Sequence, residues 1–191
     1  MIKFYVNREL SDLLDIRLSK WKRWSREFLP PDPLGGMQSG YARQYTPDQA
    51  FTVYMGGHLV SALNFSIAEV KQILEDLTPW LRKQNILGQA NGSLHQGKRN
   101  RGGADSRVYI FRRLSKDNTG VAFAYIERTR LYEEAYEQDG AHVRREVYRE
   151  RSISAAVSGE TVAAADNLEK IDSRIFYVTH LYERFAKKLV G

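Results

Sequence analysis

Residues 19–45 read SKWKRWSREFLPPDPLGGMQSGYARQY, and this stretch decides how the first part of the chain is predicted to fold. Ser19 is a candidate N-cap for a basic helix from Lys20 to Phe28. Pro30-Pro31 ends that helix, because a proline disfavours helical backbone in the residue before it. Glycines and alternating aromatic residues follow. The stretch therefore predicts a short basic helix and then a small β-hairpin over residues 32–45.

A first helix is predicted upstream of this stretch. Leucines recur at helical spacing from Asn7, a candidate N-cap, to Leu14. A short break at residues 15–18 separates this helix from the basic one. The order predicted so far is helix, tight turn, basic helix and hairpin.

Two further helices are predicted downstream. Thr46 and Pro47 have the chemistry of an N-cap and a first helical residue, and they open a helix that runs to about residue 63. Ser66 and Glu69 have the spacing of a capping box. One apolar face then follows at helical spacing, formed by Ile67, Val70, Ile73, Leu74 and Leu77. We expect this helix to stop near residues 79–84.

The cations are concentrated in the basic helix and the hairpin. The whole chain of 191 residues has 29 Lys+Arg against 23 Asp+Glu, a net charge of +6. Residues 16–45 hold six cations against two acids, which gives a local net charge of +4. This placement favours a polyanionic partner more than the overall charge does.

Several classes of protein are excluded or disfavoured by the composition. The absence of cysteine excludes disulfides, thiolate metal sites and cysteine nucleophiles. The first residues lack the apolar run of a signal peptide, and no stretch is apolar enough to span a membrane, so we expect a cytoplasmic protein with no membrane partner. The four histidines are scattered, and no nucleophile motif or phosphate-binding loop accompanies them. We expect no enzymatic activity, no metal and no cofactor.

The second part of the chain is predicted to be rich in β structure. Residues 107–114 and 121–138 are typical of strands, and Asp139-Gly140 predicts a two-residue turn before a strand over 141–153. That turn fixes the register and places Tyr136 opposite Val143, Glu134 opposite Arg145 and Tyr132 opposite Val147. A charged helix over residues 130–138 is the competing interpretation.

A terminal helix is predicted from a series of apolar residues at alternating spacings of four and three: Ile171, Ile175, Val178, Tyr182, Phe185 and Leu189. It could pack on the β strands of its own chain or form a dimer contact. Residues 154–170 are small and polar and predict a loop.

The predicted fold class is α+β, with a winged helix-turn-helix head, a linker, an antiparallel β-meander and a C-terminal amphipathic helix. The head covers residues 1–85, a flexible basic linker covers 86–106, and a β-rich dimerisation or effector domain covers 107–191.

Four short motifs occur in order along the first part of the chain: KRW at 22–24, FLPP at 28–31, GYARQY at 40–45 and NFSIAEV at 64–70. Their order and spacing resemble the DNA-binding head of the MerR family of transcriptional regulators over residues 4–77. This chain lacks one residue before Phe28, has one extra at Ala42, and has Asn64 where the family usually has glycine. The resemblance implies a winged helix-turn-helix that binds double-stranded DNA.

The candidate DNA-binding residues lie on the basic helix and in the wing. Arginine forks suit guanine edges in a major groove, and lysines suit phosphates. Trp21 is expected in the core, whereas Trp24 could lie against the sugar-phosphate backbone. The full set is Arg17, Ser19, Lys20, Lys22, Arg23, Trp24, Arg26, Tyr41, Arg43 and Tyr45. The alternatives are a solvated cationic helix face and a hairpin whose tyrosines pack on the basic helix.

The predicted function is that of a site-specific transcriptional regulator acting as a homodimer. The family usually dimerises through a long helix after the head, but here that helix stops early, so neither that dimer nor promoter untwisting is carried over. One rival is an architectural, phage or chromosome-organising DNA-binding protein. The other is a ligand-sensing module with a pocket lined by Tyr109, Phe111, Phe123 and Tyr125. The sequence identifies no effector.

Overall fold

A computed structural model describes residues 3–33, 42–88, 106–114, 121–153 and 170–190. These residues form helices and antiparallel sheets, so the fold class is α+β, as the sequence predicts. The elements are, in chain order, β1 (Tyr5–Val6), α1 (Asn7–Leu14), α2 (Leu18–Phe28), β2 (Gln44–Tyr45), α3 (Pro47–Ser61), α4 (Ile67–Lys83), β3 (Ser106–Leu114), β4 (Val121–Gln138), β5 (Ala141–Ile153), β6 (Lys170–Phe176) and α5 (Val178–Val190).

The described residues fall into two units. The head unit contains the described residues between 3 and 88 together with those from 181 to 190, and the β unit contains the described residues between 106 and 180. The predicted domain 107–191 placed the whole terminal helix with the β strands, whereas the structure groups α5 from Leu181 onward with the head. The tilted and edge-on contacts of Phe51 with Tyr182 and Phe185, at ring-centroid distances of 5.1 and 5.2 Å, account for this grouping.

Helix starts in the head follow the predicted capping at α3 and α4 but not at the first two helices. Thr46 and Ser66 both accept a hydrogen bond from the backbone N–H three residues on, which confirms Thr46 as an N-cap and Ser66 with Glu69 as a capping box. Thr46 and Gln49 form a second capping box that was not predicted. Asn7 is not the N-cap of α1 but its first residue. Ser19 is likewise inside α2, whose N-cap is Arg17. Both corrections move the helix start toward the N-terminus.

The strand predicted in the wing has an unpredicted partner. β2 pairs with β1 in antiparallel register, Tyr5 with Tyr45 and Val6 with Gln44. Residues 34–41, which hold the predicted hairpin turn and Tyr41, lie outside the described residues. The strand that closes the stretch is therefore tied to the first residues of the chain.

The predicted linker begins as part of the head. Ile86 and Leu87 are buried, and the backbone N–H of Gly88 donates to Asp48 Oδ2 at 2.6 Å. Residues 89–105 lie outside the described part of the chain.

The β unit is a four-stranded antiparallel sheet in the order β5-β4-β3-β6. The predicted register at Asp139-Gly140 is confirmed, with Tyr136, Glu134 and Tyr132 opposite Val143, Arg145 and Val147. The charged-helix alternative for residues 130–138 is therefore wrong.

Two predictions for the β unit are corrected by β6 and by the strand register. Residues 170–176 form β6 on the free edge of β3 rather than the start of a helix. A spacing of four is an even number, so Ile171 and Ile175 fit a strand as well as a helix. Ile110 is opposite Tyr125, which puts Tyr109 and Phe111 on the other sheet face from Phe123 and Tyr125. These four aromatic residues do not line one pocket.

Candidate nucleic-acid interface

A tight turn sets the angle between α1 and α2. Asp15 has the left-handed φ of 56°, and its N–H donates to the Asp12 carbonyl. The N–H of Ile16 donates to the Ser11 carbonyl at 3.0 Å, and the Ser11 hydroxyl donates to the Ile16 carbonyl at 2.7 Å. Because these hydrogen bonds tie the turn to the end of α1, they fix the direction in which α2 leaves the turn.

Helix α2 has a buried face and an opposite, exposed one. Trp21, Trp24 and Ser25 are buried. On the other side, positions i, i+3, i+4 and i+7 are all exposed and form what we call the cationic stripe: Ser19, Lys22, Arg23 and Arg26. The helix thus turns three cations and a hydroxyl outward in one row.

Two glycines of α3 bring α2 into close contact. A Cβ added to Gly57 would overlap the Trp24 ring, and one added to Gly56 would overlap the Phe28 ring. The Trp24 side chain is only 5% exposed. The prediction that Trp24 lies against a nucleic-acid backbone is therefore corrected: its ring fills the space that these glycines leave, and it fixes the helix.

Tyr45 is also a core residue rather than a surface contact. Its side chain is 1% exposed and packs edge-on against Trp21, with ring centroids 5.8 Å apart. Its hydroxyl donates to Asn7 Oδ1 at 2.7 Å, so the Ser25 hydroxyl, also 2.7 Å away, must donate to it. This network joins β2, α1 and α2 behind the cationic stripe.

The charged residues beside the stripe have partners within the head. Lys20 lies over the Trp24 ring at 4.7 Å, and Glu27 accepts from Lys71 of α4 at 2.8 Å. The hydrogen bond from Lys71, with its charge, lowers the pKa of Glu27. The Glu27 carboxylate of α2 is therefore paired with Lys71 of α4.

Arg43 connects the strand β2 to the end of α2. Its guanidinium donates to the Pro30 carbonyl at 2.9 Å and lies 5.5 Å from the Tyr45 ring centroid. It also lines a cavity of about 490 Å³ together with Lys22, Arg26 and one acid, Asp32. The cavity brings Arg43, the residue before β2, next to two cations of the stripe.

The predicted site residues thus separate into three groups. Lys22, Arg26 and Arg43 come together at the cavity, while the other exposed members lie along α2 or at its start: Arg17, Ser19, Lys20 and Arg23. Trp24 and Tyr45 are buried, and Tyr41 lies outside the described residues.

Sequence reasoning missed the residues that hold the site in place. Asn7 and Ser25 act through Tyr45. Ser25 offered a signal, because it lies four residues after Trp21 and so on the buried face of the helix, where a hydroxyl needs a partner. Asn64 has a φ of 55°, a left-handed conformation that asparagine tolerates better than most residues.

The described residues contain no group of three or more His, Cys, Asp or Glu side chains placed to hold a metal ion. None of the described helices is long and apolar enough to cross a membrane. Comparison with protein-family models and with curated proteins gives no match for this chain.

Proposed function

We propose that the head unit is a MerR-like winged helix-turn-helix and that the chain binds double-stranded DNA as a site-specific transcriptional regulator, acting as a homodimer. The observation that carries the proposal is the cationic stripe. Its four residues are exposed in one row, opposite the face that Trp21 and Trp24 bury against the head. A cationic row on a rigidly seated helix is what major-groove binding requires.

The width and chemistry of the stripe suit a duplex. An α-helix fits a major groove about 12 Å wide. Arg23 and Arg26 lie on one face at a spacing of three, and each can offer two N–H groups to a guanine edge. Lys22 is suited to a phosphate as a point charge.

Arg43 adds a second contact point at the edge of the stripe. It reaches the cavity from the position before β2, next to Lys22 and Arg26, and its guanidinium donates to the Pro30 carbonyl. A phosphate oxygen at this cavity would meet three cations, with Asp32 as the opposing charge. Arg43 therefore has two roles in the proposal, to brace the segment after α2 and to contact the DNA backbone.

The proposal is tested by the salt dependence of binding to a duplex of random sequence. Each phosphate contact contributes about 0.9 to the slope of log K against log salt. Lys22→Ala/Arg26→Ala in the full chain is expected to flatten the slope by about 1 to 2. Lys83→Ala/Lys187→Ala is the matched control, because it removes two exposed lysines from other helices of the head. If both double variants flattened the salt slope equally, the binding would be a general attraction between charges and not a property of the stripe. That result would overturn the proposal.

Site specificity is tested separately at Arg23. Arg23→Ala is expected to relax preference at one base pair by about 1–3 kcal/mol while leaving other positions unchanged. Footprinting of bound genomic sites supplies the target sequence. An inverted repeat supports a homodimeric regulator, and a diffuse footprint supports the architectural alternative instead.

A further inference from the structure

β4 and β5 extend beyond the rest of their sheet as a two-stranded ribbon. The pairing of β3 with β4 ends at Ser106 and Thr129, whereas β4 and β5 remain paired to the turn at residues 139–140. We call residues 131–138 and 141–147 the outer ribbon. Residues 131–142 are exposed without exception. A two-stranded ribbon is marginally stable alone in water, so a partner for one of its faces would stabilise it.

One face of the outer ribbon is charged and internally paired. Arg144 contacts Glu133 at 2.7 Å and Glu146 at 3.1 Å, and Arg130 contacts the same two carboxylates at 3.0 and 3.5 Å. The Tyr148 hydroxyl donates to Glu146. This face satisfies its own charges and suits solvent.

The opposite face has two apolar rows on either side of one row of charges, and Gln138 opposite Ala141 lies next to the turn. Tyr132 and Tyr136 are 48% and 44% exposed, and they stand opposite Val147 and Val143. The row between them is Glu134 opposite Arg145. Among the described residues, no ion pair within 4.0 Å joins these two charges to each other. We call this surface the tyrosine face.

We infer that the tyrosine face binds the tyrosine face of a second copy of the chain. A two-fold axis along the ribbon lays β4 of one copy over β5 of the other. Each Glu134 then meets the partner's Arg145, and each Tyr136 meets the partner's Val143. Apolar rows cover apolar rows, and the charged row finds opposite charge, so the surface is complementary to itself. The inference rests on the proposed function in that it locates the contact of the proposed homodimer.

The same pattern is unsuited to DNA. The one charged row of the face holds Glu134 and Arg145 and is neutral in sum, so the face offers a phosphate backbone no net attraction. A second copy supplies both an apolar surface and the cation that Glu134 lacks.

The inference is tested by reversing the two charges in separate full-length chains and then mixing them. Glu134→Arg leaves a face with two cations, and Arg145→Glu leaves one with two acids. We expect the unchanged chain to elute in light-scattering chromatography at twice the chain mass of 22.0 kDa. Each variant alone should dimerise at least about tenfold more weakly, because like charges oppose each other across the axis. The equimolar mixture should recover the dimer as a heterodimer.

Arg144→Glu is the matched control, since it makes the same charge change one residue away on the opposite face. It should leave the dimer intact. If Arg145→Glu failed to fold, the double variant Glu134→Arg/Arg145→Glu restores the charge balance and should dimerise like the unchanged chain. A monomeric unchanged chain, or a mixture that stays monomeric, overturns the inference.

The failure of this inference is distinguishable from the failure of the proposed DNA binding. The monomeric charge variants retain the cationic stripe, so their salt slope should still depend on Lys22 and Arg26. If the chain dimerises but its salt slope does not depend on Lys22 and Arg26, only the proposed DNA binding by the head is contradicted. If the salt slope depends on these residues but the chain is monomeric, only the dimer contact at the tyrosine face is contradicted.

Discussion

Helix α2 and the outer ribbon both carry many charges, but they use burial in opposite ways. α2 buries two tryptophans on one face and turns its cations outward on the other. The outer ribbon exposes both faces, pairs its charges on one and leaves tyrosines on the other. In α2 the fold itself explains the apolar residues, whereas in the ribbon it does not. Apolar residues that the fold does not bury are therefore the ones that indicate association with another chain.

The largest expected effect is at Trp24, on the buried face of α2. Trp24→Ala should lower the free energy of unfolding by about 3–5 kcal/mol, because it leaves a cavity against α3. Tyr136→Ala in the ribbon should change it by less than about 0.5 kcal/mol at concentrations where the chain is monomeric. Urea denaturation measures the free energy of unfolding of both variants. Similar losses in the two would contradict the difference drawn between the buried face of α2 and the exposed ribbon.

Gly57→Ala tests the packing of the Trp24 ring from the side of α3. In an open helix this change stabilises by about 0.5–1 kcal/mol, but here the new methyl group meets the Trp24 ring. We expect a loss of about 1–3 kcal/mol in urea denaturation. Gly56→Ala should cost less, because Phe28 is half-buried and has more room to move. A gain at Gly57 would mean that Trp24 is loosely packed.

Tyr45→Phe tests whether the hydrogen bonds behind the stripe contribute beyond packing. Removing the hydroxyl leaves Ser25 and Asn7 without this partner, and we expect a loss of about 1 kcal/mol in thermal or urea unfolding. Tyr132→Phe, on the exposed ribbon, should have no measurable effect in the monomer. Equal results would remove the distinction between the two tyrosines.

Arg144→Ala should have a smaller effect, because its ion pairs with Glu133 and Glu146 are exposed to water. Exposed pairs contribute about 0.2–1 kcal/mol, and salt screens them. The loss in unfolding free energy should therefore shrink as sodium chloride is raised. A loss that salt leaves unchanged would indicate that the arginine acts by packing.

The smallest expected effect is a pH dependence at His58 in α3. Burial, and then the charge of Arg184, lower the pKa of His58 below its ordinary value of 6.5. The unfolded chain therefore takes up this proton first, so stability is highest above pH 6.5 and falls as the pH drops toward the lower folded pKa. His58→Gln should flatten the dependence of the melting temperature on pH over this range. An unchanged profile in the His58 variant would assign the dependence to another group.

The local elements of this fold were predictable because their signals lie within a few residues. The N-cap at Thr46, the capping box at Ser66 and the turn at Asp139-Gly140 each rest on neighbouring side chains, and the structure places them as predicted. The helix starts at α1 and α2 were misplaced by one or two residues. At α1 the side chain of Asn7 bonds to Tyr45 rather than capping its own helix.

The remaining features depend on residues distant in the sequence. Nothing near Tyr45 indicates that β1 is its strand partner, and nothing near Trp24 indicates that a glycine of α3 accommodates its ring. A tyrosine or tryptophan suits both a core and a DNA backbone, so sequence alone assigned two core residues to the site. The edge of β3 likewise recruits residues 170–176 as a strand although their spacing also fits a helix.

The packing of α5 on α3 has a consequence for the order of events during synthesis. Phe185 fills the head core against Phe51 and Tyr54, and Lys188 donates to the Leu14 carbonyl at the end of α1. A ribosome making this chain must therefore release the residues through Phe185 before the head can close its core. The β strands, complete by residue 176, are free to pair first. A nascent chain halted before Phe185 would present a head that has every helix of its cationic surface and an unfilled core behind it.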